Sequence, residues 1–162
     1  MPAAANTSVM PFFAGINEED ESIFEGIEVE VLDASPPQIR LLRSPMFAKE
    51  FACGDTLTVI DEKTAQYELT RRSGNLSLRI FRQNGLEFLE RFLTPALEKL
   101  DGNLDLKTQN GLVYTIHFSI GFQTIEEILS QAVNDYPDTT WYYGNVYDPA
   151  DGSTPLNWWQ DL

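Results

Sequence analysis

The sequence predicts an α+β protein in which an N-terminal small antiparallel β lobe packs on a ferredoxin-like βαββαβ lobe. Three observations indicate this fold class. Short runs with a two-residue period, separated by turn residues, fill residues 26–70. Residues 75–82 alternate apolar and polar side chains, as a strand with two different faces does. The periodicities that follow have the order helix, strand, strand, helix, strand, which completes a split βαβ plan.

The predicted boundaries divide the chain into an N-terminal arm at 1–22, a β-rich lobe at 23–74, the ferredoxin-like lobe at 75–148 and a C-terminal tail at 149–162. A chain of 162 residues with 43% hydrophobic residues can bury a core of this kind. We expect the arm to be loosely held, because chain termini are ordered only where contacts fix them.

Two hairpins are predicted in the β-rich lobe. Residues 26–32 alternate isoleucine or valine with glutamate, which indicates a half-buried strand with an acidic outer face. The prolines at 36–37 mark a turn, and residues 38–43 return as a strand. Residues 56–60 and 64–70 form the second hairpin. Four short strands so close together predict a small, curved antiparallel sheet or half-barrel.

Two helices are predicted in the ferredoxin-like lobe. The first runs over about 84–100 with Asn84 as its N-cap, and Pro95 inside it should kink or split it. The second begins with a capping box at Thr124-Ile-Glu-Glu and stops at Pro137.

The remaining strands of this lobe are predicted at 104–106, 112–120 and 141–147, with a hairpin turn at Asn110-Gly111. Two tryptophans lie in the polar tail beyond them. We expect these rings to fold back onto the body or to contact a partner, because their exposure would be costly.

Alternation also assigns the two faces of the central strands. The residues expected to face the helices are Leu76, Leu78, Ile80, Leu112, Tyr114, Ile116 and Phe118. The opposite face would carry Ser77, Arg79, Phe81, Val113, Thr115 and His117. Because this second face is partly apolar, we expect the N-terminal strands to cover it.

Charge is distributed unevenly along the chain, which has a net charge of −14. Residues 1–39 hold eight acidic residues and no Lys or Arg, residues 108–162 hold seven and again no Lys or Arg, and all eleven Lys and Arg lie between these segments. Such a field repels nucleic acid and anionic membranes and speeds the encounter with a basic partner. The alternative is that the acidity serves solubility alone.

Several features indicate a cytoplasmic location. No apolar run approaches the roughly 20 residues that a membrane helix needs. Residues 1–8 lack the basic and apolar regions of a secretory signal. Cys53 is the single cysteine, so the chain cannot form an internal disulfide, which fits a reducing compartment.

Two segments resemble a family of small bacterial proteins that carry a domain of unknown function. Residues 44–59, Ser-Pro-Met-Phe-Ala-Lys-Glu-Phe-Ala-Cys-Gly-Asp-Thr-Leu-Thr-Val, are similar to its Pro-Phe … Gly-Asp segment. Residues 71–79, Arg-Arg-Ser-Gly-Asn-Leu-Ser-Leu-Arg, are similar to its Ser-Gly … Leu-Arg segment. With the order of elements, the resemblance covers residues 26–147. It implies the layout and an interaction role, such as that of cytoplasmic immunity partners of bacterial toxins, and brings no catalytic residues.

The sequence contains few of the residue types from which catalytic and metal sites are built. Cys53 and His117, with Asp55 to orient them, are the one candidate nucleophilic set. The chain order gives no reason to expect contact between them, so we predict no catalytic residues and no enzyme activity. A single histidine excludes the usual zinc sets, and the carboxylates lack the spacing of a calcium loop. Neither a metal nor another cofactor is therefore expected.

Arg71, Arg72, Arg79 and His117 form a possible anion or ligand site. The alternative is that the arginines pair with the chain's own carboxylates. The aromatic run at 141–147 lacks the basic flanks that a base-stacking surface needs, which favours a role in the core or in a protein interface.

These features together predict a non-enzymatic, acidic protein-binding protein: a cytoplasmic immunity protein that neutralises a basic bacterial toxin, with a nuclease as one candidate. The alternative is a small-molecule-binding or regulatory domain that uses the sheet face around Arg79 and His117. The predicted partner-binding residues are Glu18, Glu19, Asp20, Glu21, Tyr143, Asp148, Asp151, Trp158 and Trp159.

Overall fold

The structure is a computed structural model, and it describes residues 6–162. Within this range it contains two antiparallel sheets and two α-helices, so the protein is α+β, as predicted. The strands of the first sheet are β1 (Thr7–Ile16), β2 (Ser22–Leu32), β3 (Gln38–Leu41), β4 (Thr56–Asp61) and β5 (Gln66–Arg71). The later elements are β6 (Asn75–Phe81), α1 (Leu86–Glu98), β7 (Asn103–Lys107), β8 (Gly111–His117), α2 (Phe122–Asp135) and β9 (Thr140–Tyr143).

The first sheet has its five strands in chain order, each antiparallel to the next. It curls until its two edge strands meet, since the Phe12 ring of β1 stacks on the Tyr67 ring of β5 with 4.5 Å between centroids. The Tyr67 hydroxyl donates to the Pro11 carbonyl oxygen at 2.7 Å. The sheet is thus small, curved and antiparallel, as predicted. Its buried interior consists of Met10, Phe12, Ile27, Val29, Ile39, Leu41, Ala48 and Leu57.

The N-terminal segment differs from the prediction. Residues 7–16, expected to be a loosely held arm, form the edge strand β1. Pro11 and a register shift between Phe13 and Gly15 interrupt the two-residue period, which hides the strand in the sequence. Proline is tolerated there because an edge strand does not need every ladder donor. Residues 1–5 of the predicted arm lie outside the described residues.

The second sheet has the order β7-β8-β6-β9, and each neighbouring pair is antiparallel. Both helices pack on one of its faces. All the predicted helix-facing residues of β6 and β8 lie in the core between this sheet and the helices, and Phe118 packs against that core. The buried side chains of this core are Leu76, Leu78, Ile80, Leu86, Leu89, Leu93, Leu97, Leu112, Tyr114, Ile116, Ile125, Leu129, Ala132, Tyr143 and Val146.

Both helices begin after a glycine rather than at the polar residue that the sequence pointed to. Gly85, with a left-handed φ of 71°, precedes α1, so Asn84 is not its N-cap. Gly121, with φ of 99°, precedes α2, which places Thr124 inside the first turn without a capping box. Glycine adopts these φ values at little steric cost, so the chain can turn into each helix without a capping side chain.

Two further predictions in this lobe are corrected. The strand expected at 112–120 ends at His117, and a 3₁₀ turn at Phe118–Ile120 takes up its last residues. The helix α1 runs through Pro95 as one helix, so of the predicted kink or split, the split does not occur. None of the helices within residues 6–162 has both the length and the apolar content to span a membrane.

The C-terminal tail folds back onto the second core. The strand expected at 141–147 ends at Tyr143. Beyond it, the side chain of buried Asn145 takes over the contact with β6. Its Oδ1 accepts from the Ser77 N–H at 3.0 Å, and its Nδ2 donates to the Asn75 carbonyl oxygen at 2.9 Å. The Trp158 Nε1 donates to the Asn145 carbonyl oxygen at 2.8 Å. This is one of the two outcomes expected for the tail tryptophans.

The loop between β3 and β4, residues 42–55, covers the second face of the second sheet. The Ser44 and Thr115 hydroxyl oxygens are 2.5 Å apart, and the buried Arg79 guanidinium donates to a carbonyl of this loop. We expected the N-terminal strands themselves to cover this face. The loop does so instead, because the strands curl around their own core. His117, at the end of the face, remains exposed.

Candidate functional site

The turn between β1 and β2 projects the predicted acidic cluster into solvent. Asn17 organises this turn, since its Oδ1 accepts from the Glu19 N–H at 2.9 Å and from the Glu21 N–H at 3.0 Å. Asp20, with a left-handed φ of 60°, closes it. All four carboxylates of residues 18–21 are exposed, and no cation of the described residues forms an ion pair with them.

Large apolar side chains are exposed beside this turn. Phe13 and Phe24 lie opposite one another on β1 and β2, are 50% and 47% exposed, and have ring centroids 6.2 Å apart. Ile16 and Ile23, closer to the turn, are also exposed. Clustered apolar side chains on a surface mark contact sites. We call these four residues, together with the acidic residues 18–21, the hairpin tip.

An apolar cleft continues from the hairpin tip toward the second sheet. Its volume is about 320 Å³, and its walls include Ile23, Phe24, Met46, Phe47 and Leu106. The exposed apolar surface therefore extends beyond the hairpin onto the loop between β3 and β4.

Glu25 attaches the hairpin to that loop. Its oxygens accept from the backbone N–H groups of Met46, Phe47 and Ala48 at 2.8, 2.9 and 3.1 Å, and from Arg43 Nη1 at 3.0 Å. Burial tends to raise the pKa of Glu25, but the three backbone amides and Arg43 outweigh it and hold this pKa below its ordinary value. Glu25 is therefore ionised at neutral pH and orders the wall of the cleft.

The four residues of the predicted anion site do not line one depression. Arg71 and Arg72 line a polar depression at the end of β5, whereas Arg79 lines a separate cleft. Arg72 is engaged within the protein, since its guanidinium lies 5.2 Å from the Trp158 ring centroid. His117 lines neither depression. Strand register places Arg79 on the covered face of the second sheet and Arg71 on the first sheet, so these two arginines line different depressions.

The other predicted partner-binding residues occupy two settings. Tyr143 is buried, and its hydroxyl donates to a Glu126 carboxylate oxygen at 3.0 Å. Trp158 and Trp159 are half-buried against the second core. These three aromatic side chains therefore stabilise the fold. Of the two carboxylates in this set, that of Asp151 is exposed and that of Asp148 is half-buried.

Cys53 is poorly suited to nucleophilic chemistry. Burial, with smaller contributions from Asp105 and Asp55, raises the pKa of its thiol to about 11. The thiolate is the reactive form, so little of this thiol is reactive at neutral pH.

The second residue of the candidate nucleophilic set, His117, has a local partner. Its Nδ1 lies 2.8 Å from the Ser119 hydroxyl oxygen, and this contact occupies one ring nitrogen. Residues 6–162 contain no group of three or more His, Cys, Asp and Glu that could hold a metal ion.

Three residues with structural roles here, Glu25, Arg43 and Lys49, were not predicted from the sequence as site residues. One signal could have identified Glu25. Alternate residues of a strand share a face, so Glu25 lies on the same buried face of β2 as Ile27 and Val29. An acid in such a position needs donors nearby. Arg43 and Lys49 lie in an irregular loop, where no periodicity indicates direction.

The fold and site define an acidic α+β protein with a hairpin whose end combines carboxylates with exposed aromatic rings. The family model described as "Domain of unknown function (DUF4265)" matches residues 25–136, and the chain belongs to this family.

The crystal structure of a hypothetical protein from Neisseria gonorrhoeae has a similar fold, with a TM-score of 0.63 at 14% sequence identity. The similarity covers 89% of this chain and 96% of that one, and at this identity it shows the fold alone. A search of curated proteins found no match to the sequence.

Proposed function

We propose that the protein is a non-enzymatic binding protein for a basic partner protein, and that the hairpin tip is its contact surface. The observation that carries this proposal is the presence of four exposed carboxylates and four exposed apolar side chains on one end of one hairpin. Carboxylates steer and orient a basic surface, while aromatic rings such as Phe13 and Phe24 provide the close, desolvated contact.

Charge complementarity selects the kind of partner. The chain has a net charge of −14, and the hairpin tip adds no basic residue to its four acids. A protein with a basic surface gains from this field at long range, whereas nucleic acid and anionic membranes are repelled. The apolar cleft beyond Phe24 then offers space for a side chain of the partner.

We assign the protein the role of a cytoplasmic immunity protein that neutralises a basic bacterial toxin. A nuclease is one candidate, because a nuclease attracts phosphates with a basic surface that carboxylates of an inhibitor can occupy. The resemblance of residues 44–59 and 71–79 to small bacterial proteins with an interaction role is the second support.

We also assign the helix-bearing part of the chain to the ferredoxin-like plan. The support is the element order β6-α1-β7-β8-α2-β9, together with the sheet order β7-β8-β6-β9 and the packing of both helices on one face. This arrangement leaves the other face free for the loop at residues 42–55.

Three variants test the hairpin tip. The charge variant replaces the four acids of residues 18–21 with their amides, and the apolar variant is Phe13→Ser/Phe24→Ser. The control removes four exposed charges elsewhere through Glu62→Gln, Glu98→Gln, Glu127→Gln and Asp135→Asn. Each serves as bait in a lysate of the native cell, and captured proteins are quantified by mass spectrometry.

We expect the wild type and the control to capture a basic protein that the apolar variant loses. With that protein purified, association should slow several-fold between about 50 and 300 mM salt, because surface charges are screened beyond roughly 8–10 Å. The charge variant should lower the on-rate at low salt, and the apolar variant should mainly raise the off-rate. If neither salt nor the two hairpin-tip variants change the association and dissociation rates, the acidity serves solubility only.

The immunity role has its own test. Expression of the captured partner alone should inhibit growth, co-expression with the wild-type chain should restore it, and co-expression with the apolar variant should not. A harmless partner would remove the immunity role while leaving partner binding intact.

A further inference from the structure

Arg79 is a buried cation that forms no ion pair with a carboxylate of residues 6–162. It lies in the middle of β6, on the face turned away from the helices, and is only 1% exposed. Its Nη2 donates to the Ala48 carbonyl oxygen, whereas its Nε is buried without a hydrogen-bond partner. No carboxylate of the described residues lies within 4.0 Å of the guanidinium.

This arrangement is unusual in a chain with 25 acidic residues. Buried charges are normally paired, because an isolated ion loses its hydration without compensation. Burial lowers the pKa of Arg79, with opposing effects from Tyr142 and Glu25. An arginine nevertheless stays protonated at neutral pH, so a positive charge remains at this position.

Arg79 lines a cleft with a volume of about 240 Å³. A second cation, the exposed Lys49, lies in the same wall, and the rings of Tyr142 and Tyr147 form apolar sides. One acid, Asp148, also lines the cleft, and its Oδ1 already accepts from the Ala150 N–H at 2.9 Å. Two cations therefore face one carboxylate.

Gly144 lines the same cleft, and its backbone lies against the guanidinium. A Cβ at this position would lie 2.7 Å from Arg79 Nε and 2.8 Å from its Cζ, closer than real contacts allow. The backbone after β9 thus presses directly on the guanidinium. The arginine is confined between this backbone and the loop that carries Ala48 and Lys49.

We propose that this cleft binds a small organic oxyanion, a carboxylate or a phosphate monoester. The charged group lies against Arg79 and Lys49, and the body of the ligand lies between the rings of Tyr142 and Tyr147. Such a ligand supplies the ion-pair partner that no carboxylate of the described residues provides to Arg79, and the guanidinium suits the paired oxygens of either group. The site shares no residue with the hairpin tip, so oxyanion binding and partner binding can be tested independently.

The test uses the purified full chain with benzoate and phenyl phosphate as probes, and benzamide as the uncharged control. Isothermal titration at constant ionic strength measures binding, and amide chemical shifts locate it. We expect saturable binding of at least one oxyanion with a Kd of about 1 mM or below, and none of benzamide. Shifts should concentrate at Lys49 and at residues 142–148. The stronger of the two probes then identifies the charged group.

Two variants connect binding to the cleft. Lys49→Gln should weaken the oxyanion at least about fivefold, because an exposed lysine can be replaced without disturbing the fold. The matched control is Lys63→Gln, in the exposed turn between β4 and β5, which should bind as the wild type does. The Arg79→Met variant should abolish binding if it folds, and Lys49→Gln decides the question if it does not.

Three results would overturn this assignment. One is the lack of saturable binding of either oxyanion up to about 20 mM, well above the expected Kd. The second is equal affinity in wild type, Lys49→Gln and Lys63→Gln. The third is binding of benzamide as strong as that of benzoate, which would show that the charge of Arg79 takes no part.

Discussion

Replacing Glu25 with glutamine should destabilise the protein through the attachment of the hairpin to the loop between β3 and β4. The carboxylate accepts four hydrogen bonds, two at each oxygen. Glutamine keeps one accepting oxygen and turns an amide N–H₂ toward the other two donors. Hydrogen bonds to a charged group contribute about 1.5–3 kcal/mol each.

The expected cost is about 3 kcal/mol, the lower end for two lost bonds, because Arg43 keeps other partners. Its guanidinium also donates to Glu28 at 3.1 Å and to the Gly26 carbonyl oxygen at 2.7 Å. For a domain of this size, 1 kcal/mol corresponds to roughly 2–4 °C, so the melting temperature should fall by about 6–12 °C. Urea unfolding followed by tryptophan fluorescence measures the free energy directly.

The pH dependence provides a second readout with a definite sign. Folding lowers the pKa of Glu25, so its stabilising contribution is present above the unfolded value of about 4.3 and is lost as the pH falls below it. Burial raises the pKa values of Asp55 and Asp105, and these groups titrate in both proteins. The difference between wild type and Glu25→Gln therefore isolates Glu25, and it should shrink as the pH falls from about 5 to about 3.

Two controls separate position from chemistry. Glu28→Gln alters another acid bonded to Arg43, but this side chain is 53% exposed, so we expect a cost below about 1 kcal/mol. Glu18→Gln, in the exposed turn, should stay within about 0.5 kcal/mol of wild type. A Glu25→Gln cost no larger than that of Glu28→Gln would refute the attachment, as would a difference from wild type that does not change with pH.

Two further predictions concern the core and the cysteine. Leu78→Ala should cost about 2–5 kcal/mol in urea unfolding, because Leu78 is fully buried in β6. Leu42→Ala, at an exposed position, should cost far less. Fast amide exchange across β6 would argue against the central position of this strand in its sheet. The Cys53 thiol, with a pKa raised to about 11, should react with iodoacetamide more slowly at neutral pH in the folded protein than in urea, and equal rates would contradict its burial.

Local periodicity predicted most of the strands correctly. The alternation of apolar and polar residues identified β6 and β8 and the side chains that face the helices, because a strand's two faces follow directly from its sequence. It was insufficient for β1, where Pro11 and a bulge interrupt the period. It also misplaced the starts of α1 and α2, because Gly85 and Gly121 replace capping side chains with backbone conformation.

The candidate sites show the same division between local and distant effects. The acidic cluster could be predicted because its four carboxylates are consecutive in the chain, but the turn that carries it was not predicted, since residues 1–22 were expected to form a loosely held arm. The aromatic pair beside it depends on the pairing of Phe13 with Phe24, which requires the register of β1 on β2. A strand that the periodicity does not reveal cannot be given a register.

By itself, the sequence determined the α+β class, the core faces of the long strands and the acidity of the surface, because each depends on neighbouring residues. Only the tertiary structure decided which distant groups meet. It separated Arg79 from Arg71, Arg72 and His117, and it placed Lys49 in the same cleft as Arg79. The physical reason is the path of the loop between β3 and β4. Its course is set by Glu25, by packing on the second sheet and by the curl of the first, and none of these is encoded in its own residue pattern.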